Sequence, residues 1–125
     1  MQNEIQPGNR ITWTNGTGSA VAAGAVVVLG ALICIACVDI ANGATGELAT
    51  EGVFELPKVA DTSGHAIAQG EAVVFDVSTG KIDLGAAVAA SGDIVGGGIA
   101  WEAVLTAATT VKVKINAGHG SVSAG

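Results

Sequence analysis

From Ala20 to Val38 the chain carries no charged side chain, the run reading AVAAGAVVVLGALICIACV. A segment of this length and hydropathy has two ordinary destinations, a helix across a bilayer or strands buried in a core. Gly24 and Gly30 punctuate it like turn residues, and Gly30 splits it into Ala25 to Leu29 and Leu32 to Val38. Both pieces have strand length and are rich in β-branched residues, which suit a pleated surface. Neither flank has the Lys/Arg cluster that orients a membrane helix, the nearest upstream base being Arg10. The opening residues also lack the basic start and apolar stretch of an export signal, so none is expected.

An internal echo favours strands. Val21-Ala-Ala-Gly-Ala-Val-Val-Val-Leu29 recurs as Ile67-Ala-Gln-Gly-Glu-Ala-Val-Val-Phe75, with the glycine and the paired valines in register. The second copy contains Glu71 and is followed by Asp76, which hydrocarbon would penalise. The shared pattern is therefore read as a buried strand, and the chain as two related β units facing each other, with no membrane partner.

Composition narrows the class further. The chain has 125 residues, enough for one domain. Charged residues make up 13% of it, about half the usual share for a soluble domain, and aromatics 3%. A surface so poor in ions is best explained if partners cover part of it. The net charge of −6 has the wrong sign for neutralising phosphates, so nucleic acid is not an expected partner.

The remaining segments extend the β reading. Residues 1–9, with the Pro7-Gly8 turn signal, form an extended arm, and residues 10–115 one β domain. Arg10 to Thr14 alternates with period two, and Glu51 to Pro57 does so again, Pro57 marking a sheet edge or strand end. Ile40 to Thr50 reads as a loop. The echoed strand turns through Ser78-Thr79-Gly80 into Lys81 to Leu84, a hairpin signal. Gly85 to Asp93 is weakly patterned, with room for one helical turn. Gly96-Gly97-Gly98 allows a bulge or close strand packing, and Thr109 to Ile115 alternates most clearly. Residues 116–125 form a flexible Gly/Ser tail. About eight short strands predict an all-β fold, a small barrel or sandwich with a pseudo-repeat.

Candidate chemistry is sparse. Cys34 and Cys37 have CxxC spacing, yet positions three apart on a strand face opposite ways unless the backbone turns, and the simpler reading is two small buried apolar residues. His65 and His119 sit in glycine-rich contexts without a linked nucleophile. Gly92 to Gly98 lacks the GK[ST] ending of a phosphate loop. Asn15-Gly-Thr17 matches a glycosylation sequon by spacing alone. Trp13 and Trp101 read as core or interface anchors. No catalytic residue, metal or cofactor is expected.

Several segments together resemble a family of small tailed-bacteriophage proteins, the capsid cement or head-decoration proteins. They are Gln6-Pro7-Gly8, Ala22 to Val27, Glu51 to Lys58, Ala68 to Asp76 with Thr79-Gly-Lys81, Gly98 to Ala103 and Thr109 to Ile115, in that order along the chain. The resemblance implies a non-enzymatic virion protein on the outer surface of an icosahedral head. Its partners would be the major capsid protein, whose subunits it bridges, and further copies of itself in a homotrimer. It would pass through the host cytoplasm during assembly. Gln2, Asn3, Glu4, Ile5, Gln6, Pro7 and Gly8 are the expected capsid-binding residues, as an arm that orders against a capsid sheet edge. A β module binding glycans or a host receptor is the alternative, weakened by the scarcity of aromatics.

Overall fold

The computed structural model describes residues 8–60, 64–85, 87, 89–117 and 120–124. Among them there is no helix, and thus none long and apolar enough to cross a membrane. Ten strands form two antiparallel sheets. The first sheet contains β1 (Arg10–Thr14), β2 (Val26–Leu29), β3 (Leu32–Ala36) and β4 (Thr45–Ala49) in the order β1-β4-β3-β2. The second contains β5 (Gly52–Pro57), β6 (Ala72–Asp76), β7 (Lys81–Asp83), β8 (Ile94–Ala100) and β9 (Thr110–Ile115) in the order β5-β9-β8-β6-β7, with β10 (Ser121–Val122) paired to β8. A sandwich fits this arrangement. The second sheet curls until the end of β5 meets β7 through one parallel bridge, Lys58 to Ile82.

The uncharged run is the β2–β3 hairpin, turning at Gly30 with φ +60°. Its lack of alternation has a physical cause. On β3, Ile33 and Ile35 pack into the main core, together with Leu56, Val73, Phe75, Val113 and Ile115 of the second sheet. Cys34 and Ala36 point the other way, into a second cluster with Ile40 and Leu48. A strand buried on both faces must be apolar at every position.

The echoed sequence is a structural repeat. Val21 bridges Ile40 and Ile67 bridges Val104. Gly24 and Gly70 follow with φ +88° and +84°, and their N–H groups donate to the carbonyls of Ala36 and Ala100. The strands that follow, β2 and β6, pair with β3 and β8. β1 on β4 corresponds to β5 on β9, so both units run first-fourth-third-second. Equivalent positions keep their burial: Ile11 and Phe54 are half-buried, and Leu48 and Val113 are wholly buried.

Three expectations need amending. Ile40 to Thr50 is not all loop, because Thr45–Ala49 forms β4 between β1 and β3, where Leu48 and Ala49 are buried. Only two of its residues are large enough to show a pattern, so alternation could not reveal it. The tail is not loose at Ser121 and Val122, which pair with Val95 and Ile94, and Ser123 donates its N–H to the Asp93 carbonyl. Over Gly85 to Asp93, the described residues form no helical turn. The glycine triplet lies within β8: Gly96 has φ +74° beside a register shift opposite Val73/Val74, and a Cβ on Gly98 would lie 2.7 Å from Val113 Cγ1.

Candidate functional site

The arm proposed from sequence, Gln2 to Pro7, lies outside the described residues, and Gly8 is its last member. The Gly8 carbonyl accepts a hydrogen bond from the Thr50 hydroxyl at 2.5 Å, and the Asn9 carbonyl accepts one from the Thr50 N–H at 3.1 Å. Thr50 sits in the two-residue joint between β4 and β5, so the arm is tethered where the two units meet.

Asn116 fixes the same joint from the other end of the chain. Its Nδ2 donates to the carbonyls of Ile33 at 2.6 Å and Thr50 at 2.7 Å, and its Oδ1 accepts from the Ile33 N–H at 3.0 Å. Its φ of +54° is the left-handed conformation that Asn tolerates better than most residues. A depression of about 380 Å³ opens here, lined by Gly8, Arg10, Ile11, Leu32 and Glu51 among others.

A second feature lies at the free edge of the first sheet. Among the described residues no strand lies beyond β2 in the sheet order, and a groove of about 370 Å³ runs between it and the second sheet. Val26, Val28, Pro57, Phe75 and Val77 line it, Val77 with 41% of its surface exposed. A third feature is the loop after β8, where Trp101 is 49% and Leu105 80% exposed. Lys114 Nζ stands 6.0 Å from the Trp101 ring centroid, and Lys112 pairs with Glu102 at 3.2 Å.

The groups that could do covalent chemistry are not assembled for it. Cys34 is wholly buried, and that burial pushes its thiol up to about 11, far from a reactive thiolate. Cys37 is exposed, against the expectation that both cysteines are buried, because β3 ends at Ala36 and the chain bends away from the core there. His65 Nδ1 and Asp83 Oδ1 are 2.8 Å apart, and His119 lies outside the described residues. Among the described residues no three His, Cys, Asp or Glu side chains come close enough together to hold a metal ion. Hydrogen bonds from Ser78 and Thr79, the Ser78 hydroxyl foremost, hold the Asp76 carboxyl below its ordinary range, which makes it a turn-forming residue.

Two buried polar residues have structural roles that sequence reasoning missed. Asn15 donates from Nδ2 to the carbonyls of Ser19 and Ile40 at 2.8 and 2.9 Å. Its buried amide serves the loops of the first unit and is not presented as a glycosylation acceptor. Lys58, 1% exposed, donates from Nζ to the carbonyls of Val59 and Thr106 at 2.7 and 3.0 Å. The two occupy equivalent places in the repeat, each just past the first strand of its unit, with backbone N–H groups donating to the Ala44 and Thr109 carbonyls.

Surfaces, edges and a tethered arm are thus what this molecule presents, and the sequence comparison agrees. The phage cement protein family matches residues 5–115. The chain belongs to that family. No curated protein and no solved structure matches it. As a phage cement protein it is a structural component of the virion whose role is to bind the capsid. The match begins at Ile5, inside the arm, and ends at Ile115, one residue before the Asn116 clamp.

Proposed function

We propose that this cement protein sits on the outer surface of an icosahedral phage head and bridges neighbouring major capsid subunits, assembling there as a homotrimer after release into the host cytoplasm. Binding free energy is the whole of its function: occupancy of the assembled shell stabilises it by mass action. The family match carries the reading. A chain with 13% charged residues and exposed Val38, Trp101 and Leu105 fits a protein that works covered by its neighbours.

In this reading Gln2 to Gly8 contact the capsid, and the Gly8–Thr50 hydrogen bond gives the contact a fixed origin at the joint of the two units. Deleting residues 1–7 leaves that hydrogen bond in place. Occupancy on purified expanded heads, measured by co-sedimentation, should be lost while circular dichroism and melting stay those of the full chain. Unchanged occupancy would remove the arm from the contact. Failure of the full chain to bind heads would count against the reading as a whole.

A further inference from the structure

The repeat supplies its own template for what is missing at the edge of the first sheet. β6 has neighbours on both sides, β8 on one and β7 on the other, with Val74 opposite Asp83, Phe75 opposite Ile82 and Asp76 opposite Lys81. Among the described residues β2, its counterpart, has β3 alone. Val28 and Leu29 correspond to Val74 and Phe75, so the place that Ile82 fills in the second unit is open beside Leu29 in the first.

The backbone there is turned outward. Both the N–H and the carbonyl of Ile33 bind Asn116, on the side of β3 away from β2. Val28 faces Ile33, and in an antiparallel ladder a residue whose groups point away belongs to a non-hydrogen-bonded pair. The N–H and carbonyl of Val28 therefore point to the open side, and by the period of two so do those of Val26. β2 has none of the usual edge protection, being without charge, proline or bulge. The apolar groove of Val26, Val28, Phe75 and Val77 runs alongside.

We propose that β2 is the edge to which an extended segment of the major capsid subunit adds as an antiparallel strand, as β7 adds to β6. The inference rests on the capsid-binding reading above and specifies its contact. The occupant's pattern follows from the two faces of β2: a branched aliphatic side chain opposite Leu29, on the side of the second apolar cluster, and small apolar residues opposite Val26 and Val28, on the side of the groove. A second copy of this chain is the poorer occupant, since each copy carries a net charge of −6 and the uncharged edge offers nothing to offset the repulsion.

The test uses the full chain and expanded heads lacking it. Backbone hydrogen exchange at Val26 and Val28 should slow at least about tenfold on head binding, while the amide of the exposed loop residue Leu105 serves as reference. Val28→Pro deletes an edge N–H that the fold does not use, and Val77→Lys places a charge on the groove rim; each should weaken head binding about tenfold or more. Val77→Lys alters only a half-exposed turn residue, so it decides the matter even where the proline variant folds poorly. Wild-type binding with Val26 and Val28 unprotected, or with Val77→Lys binding normally, overturns this inference alone. A change in oligomeric state by Val77→Lys without change in head occupancy assigns the edge to a second copy and also overturns it. Absence of wild-type binding overturns both readings.

Discussion

The β1–β4 unit and the unit built on β5, β6, β8 and β9 share a strand order, a positive-φ glycine before the second strand, and a buried polar residue after the first. They part company at their margins. The second unit has gained β7 and β10 and carries Lys112 and Lys114 outward on β9, where the first has Glu47 exposed and Ala49 buried on β4. The first keeps an unprotected edge and a second apolar cluster on the far face of its sheet. Interior positions obey the packing of the repeat, whereas edges and outer faces are free to answer to partners. That is where a capsid-binding protein differentiates one half from the other.

The comparison can be broken most severely at the joint. Asn116→Ala removes three hydrogen bonds and puts a Cβ residue without a side-chain amide at positive φ, and should cost about 3–5 kcal/mol in urea unfolding. Asn116→Gly relieves the backbone but not the clamp, so it should lose most of the same stability. A glycine variant as stable as wild type would show that conformation, not clamping, is what Asn116 provides.

Next come the paired buried residues. Asn15→Ala and Lys58→Ala each remove two side-chain hydrogen bonds donated to loop carbonyls, and each should cost about 2–3 kcal/mol. Similar costs would confirm that the two side chains play one role in two units. A near-neutral Lys58→Ala would show that the second unit has replaced the device through β7.

Alkaline titration separates the units by sign. The Cys34 thiol, raised by burial to about 11 from 9.0, favours the folded state fully below pH 9. That contribution is lost as pH rises through 11, by about 2 kcal/mol at that point, and Cys34→Ala should abolish the loss. Burial lowers the Lys58 pKa from 10.5, an effect partly opposed by the nearby Asp83 carboxylate. Its unfolded state then binds more protons between the two values, so its contribution to stability rises with pH up to 10.5 and disappears in Lys58→Met. The smallest effect belongs to the exposed Lys112–Glu102 pair, where Glu102→Gln should shift stability by no more than about 0.5 kcal/mol, and less in high salt.

Much of this fold is legible in the sequence because its signals are local. The echo between Val21–Leu29 and Ile67–Phe75 exposes the repeat, the alternation of Thr110–Ile115 exposes β9, and the glycine triplet marks the bulge in β8. β4 is hidden because Thr45-Gly-Glu-Leu-Ala49 has too few large residues to display a period. Lys58 carries no local sign of burial, since only the fold brings the carbonyls of Val59 and Thr106 to its tip. Asn116 opens a segment that reads as a Gly/Ser tail, and nothing local reveals that its amide reaches Ile33 and Thr50. Long-range polar contacts leave no periodic trace, and the bare edge of β2 becomes visible only once the strand order is known.

The Asn116 clamp also sets a schedule. Translation delivers Ile33 and Thr50 long before Asn116, so the strands of the first unit can pair while the chain is still being made. The joint lacks these three hydrogen bonds until β9 and Asn116 have been made, although Ile33 and Ile35 can already pack against the second sheet. A product truncated before residue 116 would keep that core with a looser joint, and a shell of repeated identical sites selects against looseness. Synthesis past residue 116 thereby becomes a condition for incorporation, a form of quality control written into the order of synthesis.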